Sequence, residues 1–395
     1  MALICHFDIT EWVEVLPGMC MSCSERIRRT LTFRLAGIVC FSISPRVRTM
    51  FHVQLKMRPL RRSIAIAGLA LLSSGVFAQG FQMHYKVTGI KPAPAAPESS
   101  FTFHTFTSCG QSGRSGPTES QCLAAYSGSE LLGDPDQGFS VNGGIQTWTA
   151  PVTATYRIEA FGAQGGSTKN YPGGKGAKTQ GDFSLNKGQT LLILVGQMGV
   201  GAGWDSTAAG GGGGGTYVVL DGSPLLIAGG GGGATEYGSA GGYPGGSSTE
   251  GGATNYPYTR GSAAPGLYGG ALGGYGGRNG YGGGGGVASG GAGWFDRGGK
   301  GVHSPTYGLH FNAGGFGGDS TETYRAYGGF GGGGAGSYNS GYGGGGGGYS
   351  GGGGGDLRNG KAGNGGGAGS FNAGTNPSNS SGVQTGHGQV VISKL

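Results

Sequence analysis

Short apolar stretches separated by turn residues dominate the chain from residue 101 to residue 229. Residues 155–161 alternate apolar with polar over their first six positions, which is typical of a β-strand with one face in water. Continuous apolar runs, which favour strands in the middle of a sandwich, occupy 191–195, 217–220 and 224–228. Further strands are predicted at 101–106, 138–141, 145–148 and 388–393. No helical period of ten residues or more is visible after residue 78, so the fold class is all-β.

A glycine-rich stretch interrupts this pattern before its last strand. Glycine accounts for 70 of the 165 residues from 210 to 374. Because glycine has no side chain to bury and loses much conformational freedom on folding, such a stretch either stays disordered or packs bare backbones together. Its position between strands favours a folded insertion. The pattern therefore predicts a jelly-roll β-sandwich with strands over 101–229 and 386–394 and an insertion over 210–374.

The formal charge of +7 changes this picture less than its size suggests. Residues 1–78 hold 10 Lys/Arg and 4 Asp/Glu, whereas residues 79–395 hold 16 and 15. The bulk of the chain is thus close to neutral. Nucleic-acid binding needs a basic surface that neutralises phosphates, so no nucleic-acid partner is predicted.

The basic N-terminal part has the pattern of an export signal. A basic stretch at 57–62 precedes an apolar stretch at 63–75, and small residues predict cleavage between Ala78 and Gln79. The apolar stretch is too short to span about 30 Å of hydrocarbon, so the mature chain is predicted to lack a transmembrane helix. We expect export to the periplasm, the cell surface or the extracellular space, with a twin-arginine route as the alternative to an ordinary signal.

The signal also divides the N-terminal region. Because a signal peptide normally starts a chain, we interpret 1–56 as an extension upstream of a true start at Met57, and 57–78 as the signal peptide. Residues 79–100 are rich in Pro and Ala and predict an extended spacer. The folded domain is then predicted to cover 101–395.

After the predicted cleavage site, Cys109 and Cys122 are the remaining cysteines, and in an exported protein they are expected to pair. Candidate catalytic motifs are compositional. Residues 348–352 fit G-x-S-x-G inside a glycine run, and the required strand-to-helix elbow is missing from the pattern. We predict no catalytic residue, metal or cofactor, and expect a structural hydrogen bond from His387.

Several blocks of sequence, taken in order, carry a family resemblance. They are 107–126, 156–166, 192–197, 211–218, 224–233 and 386–392. Together they resemble the glycine-rich extracellular domain of the anaplastic lymphoma kinase and leukocyte tyrosine kinase receptors. Similar domains occur in exported bacterial proteins, and we expect this chain to be an exported bacterial protein of that kind without a kinase domain. The resemblance implies a TNF-like β-sandwich, a bundle of polyglycine-II helices and a disulfide between Cys109 and Cys122.

The physical chemistry of glycine agrees with such a bundle. A left-handed helix of three residues per turn has no internal hydrogen bonds, so its buried N–H and C=O groups need partners on neighbouring helices. Only residues without a Cβ allow backbones to approach that closely. Collagen is disfavoured because runs of five and six glycines break its Gly-X-Y period. Disorder is the alternative.

The sequence departs from the receptors where their enzyme would be. It contains no V-A-I-K, H-R-D or D-F-G motif, so a tyrosine-kinase activity would rest on the family label alone. The favoured function is an exported, non-catalytic binding or adhesion module that resembles the ligand-binding part of those receptors. A structural component of an envelope, matrix or appendage is the alternative.

Aromatic residues within the glycine segments are the candidate partner-binding surface, because tyrosine offers rigid contact area with a polar tip. The predicted set is Tyr324, Tyr327, Phe330, Tyr338, Tyr342 and Tyr349. The partner would be a protein or a glycan of unknown identity. The alternative is that these rings cap and seal the ends of the bundle.

Overall fold

A computed structural model describes residues 101–201, 209–236, 241–252, 274–304, 306–320, 325–337, 341–358 and 361–395. The predicted extension, signal peptide, Ala78–Gln79 cleavage site and spacer lie outside these residues, as do Tyr324 and Tyr338. The predicted domain boundaries therefore stay predictions.

The described residues form mainly short strands. The first half contains β1 (Phe103–Phe106), α1 (Glu119–Ala125), α2 (Glu130–Gly133), a 3-10 turn (Pro135–Gln137), β2 (Ser140–Asn142), β3 (Ile145–Thr149), β4 (Ala154–Phe161), β5 (Gly176–Leu185), β6 (Thr190–Leu194), β7 (Thr216–Leu220) and β8 (Ser223–Ala228). The second half contains a 3-10 turn (Phe311–Ala313), β9 (Leu357–Arg358), β10 (Lys361–Ala362), β11 (Phe371–Asn372), β12 (Thr375–Gln384) and β13 (Gln389–Lys394).

Two antiparallel sheets organise these strands. The first has the order β1-β13-β4-β5-β12 and the second the order β11-β8-β7-β6-β3-β2, while β9 and β10 pair separately. The strand β13 joins β1 to β4 in the first sheet, because Val390 lies opposite both Phe106 of β1 and Ala160 of β4. The all-β prediction is confirmed at this level.

Aromatic and aliphatic side chains of both sheets fill the space between them. Trp148 of β3 lies at its centre, fully buried, with the rings of Phe101 and Tyr156 each 5.3 Å away. The buried indole N–H is satisfied because Trp148 Nε1 donates to Gln137 Oε1 at 3.0 Å. Other members of this core are Phe106, Ile158, Leu191, Ile193, Val218, Leu226, Val390 and Ile392.

In the second sheet, β7 and the end of β8 are buried on both faces, which explains their continuous apolar runs. Its outer face presents Tyr217, Val219 and Ile227 to a second core. The side chains that cover this face, Trp294, Phe311 and Phe330, all come from the glycine-rich part of the chain. The strand β4 of the first sheet has no such cover and alternates buried with partly exposed residues.

The sequence pattern missed β12 because this strand is exposed along almost its whole length and carries no apolar alternation. It lies at the edge of the first sheet and pairs with β5 through two register shifts. Side chains reinforce the pairing, since Asp182 of β5 accepts hydrogen bonds from Asn376 at 3.0 Å and from Arg157 at 2.8 and 3.0 Å. A polar edge strand of this kind cannot be recognised from the pattern of hydrophobic residues.

The predicted disulfide between Cys109 and Cys122 is confirmed, with the two Cα atoms 4.9 Å apart. Cys122 lies on α1, whose first turn is held by a capping box between Thr118 and Gln121. Both cysteines belong to the core between the sheets. The bridge therefore fastens a short helix to the end of β1.

Candidate functional site

The glycine segments are joined by backbone hydrogen bonds that repeat every third residue. In the segment 343–348, Gly343 and Gly346 donate to Gly363 and Gly366, Gly344 and Gly347 to Gly210 and Gly213, and Gly345 and Gly348 to Ser289 and Ala292. These N···O distances lie between 2.9 and 3.2 Å. One glycine segment thus contacts three neighbours in turn, each through the same spacing.

A second segment, 210–215, repeats the arrangement with its neighbours running the opposite way. Gly210 and Gly213 donate to Ala234 and Gly231, Gly211 and Gly214 to Val200 and Gln197, and Gly212 and Gly215 to Gly334 and Gly331. Little space remains between these backbones. A Cβ built on Gly348 would lie 2.6 Å from the Gly369 carbonyl oxygen, closer than real Cβ contacts come. The network therefore forms a stiff scaffold that requires glycine.

Three turns of this scaffold meet at one place on its surface. In the first turn, Tyr281 N donates to Arg278 O, and Asn279 and Gly280 adopt positive φ values of 51° and 86°. Phe295 N of the second turn donates to Gly280 O at 2.8 Å. The third turn joins both, because Tyr349 O accepts from Trp294 N and Gly351 N donates to Tyr281 O.

Each of these turns presents an aromatic side chain, and β11 adds a fourth. The rings of Tyr281 and Phe295 are 6.1 Å apart, and those of Tyr349 and Phe371 stack at 4.9 Å. Gly280 lies between the two pairs, because a Cβ there would be 2.6 Å from the Phe295 ring and 3.6 Å from the Tyr349 ring. We call Tyr281, Phe295, Tyr349 and Phe371 the aromatic platform.

Two rings of the platform are exposed, and the other two pack partly against the second core. Phe295 is 59% exposed and Tyr281 is 43% exposed, while Tyr349 and Phe371 are partly buried. Trp294, the neighbour of Phe295, points the other way and packs on the outer face of the second sheet. Because Trp294 is buried, the turn that contains both residues is anchored with the Phe295 side chain exposed to solvent.

Charged groups beside the platform are balanced. Arg278 pairs with Glu250, with Nε and Oε2 3.4 Å apart. Arg297 lies over the Tyr307 ring at 4.4 Å, and its backbone N–H donates to the Asp296 carboxylate at 2.7 Å. The formal charges of these two cationic and two anionic side chains therefore sum to zero.

The structure separates the sequence-predicted aromatic residues. Phe330 is completely buried and Tyr342 is 4% exposed, so their rings pack inside the scaffold. Tyr327 is partly exposed, and Tyr349 belongs to the platform. The partner-binding role stays a prediction, but burial favours the sealing alternative for Phe330 and Tyr342.

Sequence reasoning missed Phe295, the most exposed ring of the platform. The signal that could have found it is the adjacent pair Trp294 and Phe295 between glycines. In this turn the two side chains lie on opposite sides, since Trp294 packs in the second core and Phe295 is exposed. Tyr281 gave no such signal because tyrosine punctuates many of the glycine runs.

The remaining candidate chemistry has structural roles. Ser350, the serine of the G-x-S-x-G match, is buried, and its Oγ accepts from Gly280 N at 3.1 Å. His387 makes the expected structural hydrogen bond, since its Nδ1 accepts from Met198 N at 3.0 Å. Burial lowers the pKa of His387 and so favours the neutral ring that this bond needs. Within the described ranges, no group of three or more His, Cys, Asp or Glu side chains is arranged to hold a metal ion.

Comparison with known proteins shows a similarity to part of a receptor. Over 110 residues the chain is 37% identical to the mouse leukocyte tyrosine kinase receptor, and the match covers 27% of this chain and 12% of the receptor. The chain therefore spans only a small part of that relative. No protein-family model matches the chain. Across the described segments, none of the helices has the length and apolar character to cross a membrane.

Proposed function

We propose that this chain is an exported, non-catalytic binding or adhesion module. Its similarity to part of a receptor supports a receptor-like module outside the cell. The disulfide supports an oxidising compartment, and the signal-like pattern before Ala78 supports export. A non-catalytic role fits the structural hydrogen bonds of Ser350 and His387.

The single observation that carries the proposal is the hydrogen bonding at every third residue of the glycine segments. A helix with three residues per turn and outward-pointing N–H and C=O groups produces this pattern. We interpret the segments as polyglycine-II helices inserted in a TNF-like jelly-roll sandwich. Such a scaffold holds its connecting turns in fixed positions, and fixed surfaces lose little entropy on binding.

A binding assay with the full chain tests this function. Fluorescently labelled protein would be applied to whole cells and to an array of glycans and surface proteins. The binding-module hypothesis predicts saturable binding that unlabelled protein competes away. Moderate salt should not abolish this binding, because the chain after residue 78 is close to neutral. Absence of saturable binding to every surface would refute it.

A structural component of an envelope, matrix or appendage is the second candidate. It is favoured by the edge positions of β1 and β12 in the first sheet, because edge strands can pair with another chain. This reading predicts concentration-dependent assembly of purified protein. Analytical ultracentrifugation separates the two readings, since a binding module needs no large assembly.

A further inference from the structure

We propose that the aromatic platform binds a neutral polysaccharide chain by stacking sugar rings on Tyr281, Phe295, Tyr349 and Phe371. This inference rests on the proposed binding function and names its surface and its ligand class. The observations that carry it are the exposure of Tyr281 and Phe295, the hydrogen-bonded turns that support the rings, and the balanced charge of the side chains beside them.

The rings form two pairs on either side of Gly280. The centroid distances within the pairs are 6.1 and 4.9 Å, and Phe295 and Tyr349 both lie close to Gly280, which has no side chain to separate them. The C–H groups on one face of a pyranose carry partial positive charge. They complement the electron-rich faces of aromatic rings, which is the same electrostatic preference that governs aromatic contacts generally.

The support beneath the rings is already in its binding conformation. Backbone hydrogen bonds join the three turns to one another, and Ser350 Oγ accepts from Gly280 N. Buried Trp294 anchors the most exposed ring, Phe295, from below. Because the rings are held in place, little conformational entropy is lost when a ligand lies across them.

The charges beside the platform select the ligand class. Arg278 is paired with Glu250, and Arg297 lies on Tyr307 beside Asp296. This border has hydrogen-bonding groups for hydroxyls but no excess charge for sulfate, phosphate or carboxylate groups. An uncharged polyol is the complement of such a surface, whereas an anionic polysaccharide would require unpaired cations.

Substitutions with a matched control test the inference. We would measure binding of the full chain to cellohexaose, chitohexaose and mannohexaose by calorimetry, with heparin as the anionic probe. Phe295→Ala should weaken binding of the preferred neutral hexasaccharide about tenfold or more, and Tyr281→Ala should weaken it several-fold. Phe103→Ala is the control, because Phe103 is 61% exposed on β1 and lies outside the platform.

The melting temperatures of the three variants should stay close to that of the wild type, because surface substitutions usually change stability little. A weaker binding of Phe295→Ala or Tyr281→Ala then reports loss of the ring and not unfolding. The inference is overturned if the neutral hexasaccharides do not bind, if heparin alone binds, or if Phe295→Ala binds as the wild type does. Saturable binding of the wild type to cells or to a protein, unaffected by Phe295→Ala, would refute this ligand and leave the binding function intact. No binding to any surface would refute both.

Discussion

Replacing Gly346 by alanine tests whether the glycine segments are packed backbone to backbone. Gly346 lies in the middle of the segment 343–348, where its N–H donates to Gly366 O at 2.9 Å and its carbonyl accepts from Gly352 N at 2.8 Å. A Cβ at this position would lie 2.8 Å from the Gly230 carbonyl carbon and would overlap its oxygen. An added methyl group cannot rotate away, so a neighbouring segment would have to move.

The expected loss of stability follows from these contacts. Overpacking typically costs about 1–3 kcal/mol. Displacing two backbone hydrogen bonds adds about 0.5–1.5 kcal/mol for each. The smaller conformational freedom of alanine in the unfolded chain returns roughly 0.4–1 kcal/mol. The free energy of unfolding should therefore fall by about 3 kcal/mol, which for a domain of this size lowers the melting temperature by roughly 6–12 °C.

Circular dichroism and calorimetry of Gly346→Ala would measure this loss. Gly246→Ala is the matched control within the glycine-rich part, because its Cβ would lie 3.7 Å from the nearest atoms, at an ordinary contact distance. We expect the control to melt close to the wild type. Equal melting temperatures for the two variants would refute the packed arrangement and favour disordered glycine segments.

Three further predictions concern the sandwich. Replacing Cys109 and Cys122 together by serine should lower the free energy of unfolding by about 3 kcal/mol, measured by urea denaturation, and reducing agent should then have no further effect. Burial lowers the pKa of His104 to about 4. Because the unfolded chain binds more protons than the folded chain between pH 6.5 and pH 4, the free energy of unfolding should decrease as the pH is lowered across that window. The variant His104→Phe should show a smaller decrease. An unchanged slope would contradict this. The hydrogen bond from Arg157 holds the pKa of Asp182 at about 2, so Asp182→Asn should speed amide exchange in β12 at neutral pH, and its difference from wild type should shrink as pH falls from about 3.8 to about 2.

Strands with a local signature were predictable, and those without one were not. The alternation at 155–161 and the apolar run at 191–195 correspond to β4 and β6. Burial of a strand requires apolar residues at the buried positions, and this requirement is visible in the sequence pattern. The strand β12 is held by Asp182 and by edge pairing, neither of which leaves a periodic trace. The short helix α1 was equally invisible, since seven residues do not display a helical period.

The candidate site shows the same division. Sequence pointed to aromatic residues among the glycines, but Phe330 is buried and Phe295 is exposed for reasons that lie elsewhere in the chain. Phe330 covers the outer face of the second sheet together with Trp294. Which ring is buried depends on where each turn meets that face.

Strand alternation, cysteine content and the absence of a Cβ are local properties, so the residue pattern was enough to predict an all-β chain, a disulfide and a glycine-rich insertion. The packing of distant segments was needed to show that the insertion covers the second sheet, that its hydrogen bonds repeat every third residue, and that four rings lie near one another. Those features depend on which distant segments are neighbours. A run of glycines does not encode its neighbours, because identical residues offer each partner the same backbone groups.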